Sequence, residues 1–133
     1  MIAVDTNVLV RLLTEDEPKQ AAAARSLFAD GPIWIAKTVL LETGWVLRSL
    51  YGFDENDVSR AFTRLLGLKN VHAEDEPAVA AALALVPHGI ELADAIHLSS
   101  RPAGAAFVTL DQSFIRRAKR AGASAVSGIS GEY

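Results

Sequence analysis

Short apolar runs alternate along this chain with longer segments in which apolar positions recur every three or four residues. Ile2–Val4 reads as a buried strand that leads into a helix over about Asn7–Leu13. Thr14-Glu15-Asp16-Glu17-Pro18 is a polar break, with the proline suited to the first turn of the next helix. That helix, Lys19–Phe28, is alanine-rich and stops at Asp30-Gly31-Pro32. Ile33–Ala36 reads as a second strand. Thr38 is placed to cap a helix reaching about Leu50, closed by Tyr51-Gly52. Asp54 or Asn56 opens a further helix that ends near Gly67, and Asn70–His72 is a short strand candidate. Asp75 begins a helix through Val86 with Pro77 in its first turn, and another covers about Glu91–Ser100 after Pro87-His88-Gly89. Ala106–Leu110 is the clearest strand, Gln112–Ala121 a helix with Gly122 beyond it, and Ser124–Val126 an edge-strand candidate before a loose tail, Gly128–Tyr133.

Strands that alternate with helices, without hairpin turns between them, predict an α/β fold: a mostly parallel central sheet flanked by helices. All 133 residues fit one domain. In such sheets ligands bind beyond the C-terminal ends of the strands, and both Asp5 and Asp111 follow strand candidates.

Composition removes several classes. Half of the residues are hydrophobic, which excludes disorder as the ground state. The chain contains no cysteine, so disulfide frameworks, thiol catalysis and cysteine-ligated zinc are excluded together. No apolar run approaches the ~20 residues that span a bilayer and no signal-peptide pattern opens the chain, so a cytoplasmic protein is expected.

Four carboxylates stand beside apolar stretches: Asp5 after Ile2-Ala3-Val4, Glu42 after Val39-Leu40-Leu41, Asp94 within Leu92–Ile96, and Asp111 after Phe107–Leu110. If buried or half-buried, each needs a cation beside it, and no Lys or Arg adjoins them in sequence. A cluster neutralised by a divalent cation answers that need, and all-oxygen ligation selects Mg²⁺, with Mn²⁺ the alternative, over zinc. Each acid also has a plainer role. Asp5 and Asp111 can cap the helices that follow them, Asp94 can favour a helix start, and Glu42 can pair with Arg48 or Arg11. The net charge of −3 includes these four acids, and the other twelve face 13 Lys and Arg. A phosphate-bearing substrate is therefore compatible with the remaining surface.

The stretches Val4-Asp5-Thr6-Asn7-Val8-Leu9-Val10, Ala93-Asp94-Ala95-Ile96-His97-Leu98 and Val108-Thr109-Leu110-Asp111-Gln112-Ser113-Phe114, with the Glu42 helix between them, resemble the PIN-domain family. Their order and spacing are most similar to its VapC-type toxin ribonucleases. The resemblance covers nearly the whole chain and implies a three-layer sandwich. It also implies a metal-dependent endoribonuclease with Asp5, Glu42, Asp94 and Asp111 as catalytic and metal-binding residues. Ser113 stands where the family often carries a further acid, so no fifth carboxylate is implied. A homodimer and a cognate antitoxin, docking near the first two helices, follow from the same resemblance. The apolar residues of Asn7–Leu13 and the Ala21–Ala24 run could serve that docking or simply pack in the core.

Metal-assisted attack by water needs no side-chain nucleophile and no 2′-OH, so the expected products carry a 5′-phosphate and a 3′-OH. Thr6, Asn7, Thr109 and Ser113 adjoin the acids and are candidates to orient them. Arg116, Arg117 and Arg120 share one face of the last helix that begins beside Asp111, either as a solvated surface or as a contact for RNA phosphates. His97 is expected to be a packed core residue, and the two acidic runs, Glu15–Glu17 and Glu74–Glu76, to be capping or solvated charge. A response-regulator receiver would need an acidic pair after the first strand, and a haloacid-dehalogenase-type phosphatase would need Asp-x-Asp where Asp5-Thr6-Asn7 stands. A non-catalytic RNA- or protein-binding PIN-like module is the remaining alternative.

Overall fold

Residues 1–129 are described by a computed structural model. The chain opens with β1 (Ile2–Ala3) and passes at once into α1 (Thr6–Thr14), because Asp5 caps that helix: its Oδ1 accepts the Val8 N–H at 3.2 Å. Pro18 begins α2 (Pro18–Ala29), which is followed by β2 (Ile33–Ile35) and α3 (Lys37–Tyr51). Gly52, at φ 72°, provides the left-handed turn that ends α3. A reciprocal capping box between Asp54 and Asp57 starts α4 (Glu55–Leu66). There follow β3 (Val71–Ala73), α5 (Glu76–Leu85), a 3-10 turn (Val86–His88), α6 (Leu92–Ser99), β4 (Phe107–Val108), α7 (Gln112–Arg120) and β5 (Val126–Ser127).

Among the described residues the strands form two parallel sheets. One has the order β1-β2-β3, with Ile2 opposite Ile33 and Ile33 opposite Val71; the other pairs β4 with β5, Phe107 opposite Val126. The predicted α/β architecture is therefore present, with the fourth strand joined to the fifth and not to the main sheet. The core gathers Leu9, Ile33, Ile35, Leu40, Leu47 and Phe62, all essentially inaccessible to solvent. Each such side chain stabilises the fold by about 1.5–3 kcal/mol relative to exposure.

Three local expectations are corrected. The first strand is an edge strand, with Ile2 49 % exposed and only Val4 of Ile2–Val4 buried. Only Phe107–Val108 of the Ala106–Leu110 run is strand, and Val108 and Leu110 are exposed. Ala36, not Thr38, occupies the position before α3, and the helix's first free N–H, that of Lys37, is taken at 2.9 Å by the carboxylate of Glu74, just past the end of β3. A cap supplied from 37 positions away leaves no local signature. The loose tail expected at Gly128–Tyr133 lies outside the described residues from position 130 onward.

Candidate active site

Two of the four acids follow short strands and two lie within helices. Asp5 and Asp111 lie just beyond β1 and β4, where each caps the helix it precedes; Asp111 Oδ1 accepts the Phe114 N–H at 3.0 Å. The plainer capping role is real for both. It engages one oxygen of each carboxylate and leaves further acceptor capacity. Asp94 lies in the first turn of α6, whose Leu92 N–H is capped at 3.0 Å by Glu55. Glu42 lies in the middle of α3.

Burial differs from expectation. Only Asp94 is half-buried; Asp5, Glu42 and Asp111 are exposed, so these three are not compelled to find a cation by desolvation. Neither proposed ion pair for Glu42 forms. Arg48 pairs with Glu55 at 2.7 Å and Arg11 with Asp16 at 3.3 Å. Glu42 instead accepts a hydrogen bond from the hydroxyl of Thr6, a buried residue at the start of α1. This contact holds the Asp5 turn against α3.

One packing contact and one charge effect bring in the other acids. Gly44 lies one turn of α3 from Leu41 and is buried where α3 meets α6; a Cβ there would stand 3.3 Å from Leu92 Cδ2. The absent side chain is what lets the Glu42 helix approach the Asp94 helix, across a cleft of about 80 Å³ bordered by Leu41, Trp45, Glu91 and Ala93. Burial pushes the Asp94 carboxyl above the usual carboxylate range, and the negative charges of Glu91 and Asp111 add to this against the opposing pull of His97 and Arg117. Asp94 and Asp111 thus share one electrostatic environment. Thr109 Oγ1 accepts the Asp111 N–H at 3.1 Å and so fixes the turn carrying that acid.

The site residues are therefore drawn together in two groups, Asp5-Thr6-Glu42 and Asp94-Asp111-Thr109. Among the described residues no three Asp, Glu or His side chains are gathered closely enough to hold a metal ion. The donor chemistry still fits a hard divalent cation. The groups are carboxylates, two of them are close enough to repel, and Mg²⁺ is commonly held by one or two carboxylates with water completing its shell. Asn7 is exposed and Ser113 half-buried beside these groups.

Several surroundings differ from the sequence reading. His97 is exposed, because Ala95, Ile96 and Leu98 take the inward face of α6. Arg116 and Arg120 are exposed, whereas Arg117 is half-buried with its Nε enclosed. The acidic runs have the expected character, exposed throughout and with Glu74 capping α3, and they also tie elements together: Glu15 pairs with Arg25, Asp75 with Lys37 at 2.9 Å, and Glu76 lies 3.0 Å from His72. Trp45 is 64 % exposed one turn beyond Glu42 on the same outer stripe. Sequence reading missed Gly44, although a glycine inside a helical pattern is itself a signal of close packing.

The family model described as PIN domain matches residues 2–120 of the chain. No curated protein and no solved structure matches it.

Proposed function

Because the chain belongs to the PIN-domain family, whose members are generally nucleases, we propose that it is a divalent-cation-dependent endoribonuclease using Asp5, Glu42, Asp94 and Asp111. The observation that carries this reading is the hydrogen bond from Thr6 to Glu42. It joins residues 36 positions apart and makes the Asp5 turn and the Glu42 face neighbours on one open surface. An extended nucleic-acid strand requires access of that kind. Trp45, on the Glu42 stripe, offers an indole face on which a base can stack.

Mg²⁺, or Mn²⁺ in its place, would be held by carboxylates of this set; it would supply positive charge to the phosphate and make a nearby water easier to deprotonate. The chain's own contribution is orientation. The Thr6 hydroxyl fixes one face of Glu42, the cap bonds fix Asp5 and Asp111, and Thr109 fixes the Asp111 turn. Attack by water at phosphorus with loss of the 3′-oxygen leaves a 5′-phosphate on one fragment and a 3′-OH on the other. Arg116, Arg117 and Arg120 on α7 would meet phosphates of the same strand.

We extend the proposal to a cytoplasmic toxin that acts as a homodimer and is held in check by a cognate antitoxin. Among the described residues no helix is long and apolar enough to cross a membrane. The groove between α1 and α4, lined by Leu12, Leu13, Phe53 and Leu65 with Arg64 and the Arg60–Asp57 pair among its polar residues, supports docking of an amphipathic partner helix. Ala21 and Ala24 are buried in packing and do not contribute to such a surface.

The test is cleavage of single-stranded RNA with Mg²⁺ or with chelator, with end-group analysis of the products. Wild-type protein should cut only with the cation and yield 5′-phosphate ends. Asp5→Asn and Asp94→Asn should each lose at least ~10²-fold in rate, the scale of losing a principal electrostatic group. Undiminished cleavage by both variants, or cleavage that persists in chelator, eliminates the proposed site.

A further inference from the structure

The three arginines of α7 do not share one environment. Arg116 and Arg120 are exposed, as a solvated basic face requires. Arg117 turns inward: it is half-buried, its Nε is buried without a hydrogen-bond partner, and none of the six ion pairs among the described residues includes it. Its stem runs along the turn that precedes α6, where a Cβ on Gly89 would stand 3.7 Å from Arg117 Cδ. The same helix starts at Asp111, and the turn at Gly89 leads into the helix of Asp94. Its charge is felt at the Asp94 carboxyl.

We propose that Arg117 is the receptor for a non-bridging oxygen of the substrate phosphate at the Asp94–Asp111 edge, held inside the α6–α7 junction and distinct in role from its exposed neighbours Arg116 and Arg120. The enclosed Nε leaves the two terminal guanidinium nitrogens as the donors an arriving anion can meet, and no carboxylate among the described residues takes them. A phosphate oxygen pair matches the planar donor fork, which an ammonium group cannot reproduce. Beside the divalent cation that the acids would hold, a fixed guanidinium would add a second positive charge for the phosphodiester. This inference rests on the phosphodiesterase reading above and divides the basic face that reading treats as one: Arg116 and Arg120 follow the strand, while Arg117 holds the phosphate being cut.

The experiment compares wild type, Arg117→Gln, Arg117→Lys and the double variant Arg116→Gln/Arg120→Gln in two measurements. The first is binding of a fluorescein-labelled single-stranded RNA in chelator across a salt series. The second is kcat and KM on the same RNA with Mg²⁺. Arg117→Gln should flatten the slope of log affinity against log salt by about 0.7, the loss of one phosphate contact on a single strand. It should also lower kcat by ~10²-fold. Arg117→Lys should keep the salt slope yet fail to restore kcat, and the double variant should act mainly through KM. A wild-type salt slope and kcat in Arg117→Gln overturns the inference, as does full recovery of kcat by Arg117→Lys. If Arg117→Gln does not fold, Arg117→Lys decides by kcat. Wild type that binds RNA through Arg117 but cuts nothing with Mg²⁺ overturns the hydrolase reading alone; wild-type cleavage untouched in Arg117→Gln overturns this inference alone.

Discussion

Asp94 is held in a state that its own charge opposes. Burial foremost, then Glu91 and Asp111, raise its carboxyl above its ordinary value of 3.8. A carboxyl whose folded pKa lies above its unfolded one favours the folded state when protonated. The charged form therefore costs stability, a cost that grows as pH rises above 3.8 and is complete above the folded pKa. Asp94→Asn removes that cost. In chelator the variant should melt above wild type at pH 7, and the two should converge as pH falls below 3.8; melting curves across that window check this. A variant that melts lower than wild type at pH 7 would show that Asp94 contributes more as a packed or bonded group than it costs as a charge.

Between elements, the contact that positions the site is Gly44 of α3 against Leu92 of α6. Alanine there would meet Leu92 Cδ2 at 3.3 Å, a squeeze that a rotating leucine end can partly relieve. A leucine cannot be accommodated without driving the helices apart. Gly44→Leu should therefore destabilise the protein by about 1–3 kcal/mol, the usual cost of overpacking. It should also cut RNA cleavage by more than the loss of folded protein explains, because α3 carries Glu42 and α6 carries Asp94. Denaturant titration alongside activity per folded molecule separates the two effects. Helix starts and stops were legible in sequence at Asp5, Pro18, Gly52, Asp54 and Asp111, since caps and breakers act within a few residues. The start of α3 was not, because its cap comes from Glu74.

For the molecule as a whole, one polar knot links the first helix pair to the end of α3. Asp16 accepts from Tyr51 Oη at 2.8 Å, from Thr14 Oγ1 at 3.0 Å and from Arg11 at 3.3 Å. The Tyr51 and Thr14 hydrogen bonds hold its carboxyl below its ordinary value of 3.8. A depressed folded pKa contributes stability that is present above 3.8 and is lost as pH falls through the folded value. Tyr51→Phe should melt lower than wild type at neutral pH, and the gap should close in strong acid. Equal melting at pH 7 would reduce the knot to a surface contact of no consequence, a common outcome for exposed charges.

The sequence by itself determined the alternation of strands and helices, the capped starts of α1, α4 and α7, and the position of each acid relative to its own element. These depend on interactions within one turn or one strand, where side-chain period and capping chemistry act locally. It also carried the family, through an ordered set of short motifs that matches over residues 2–120. The tertiary structure alone decided that β4 joins β5, that Glu42 accepts from Thr6, that three of the four acids are exposed, and that Arg117 is half-buried where Arg116 and Arg120 are exposed. The physical reason is the same in each case. A residue's pattern specifies which side of its element turns inward, but not which distant element meets it there. At Glu42 the partner lies 36 positions away. At Arg117 it is the packing of α7 over the Gly89 turn, not the spacing of arginines along the helix, that encloses the Nε of one of the three.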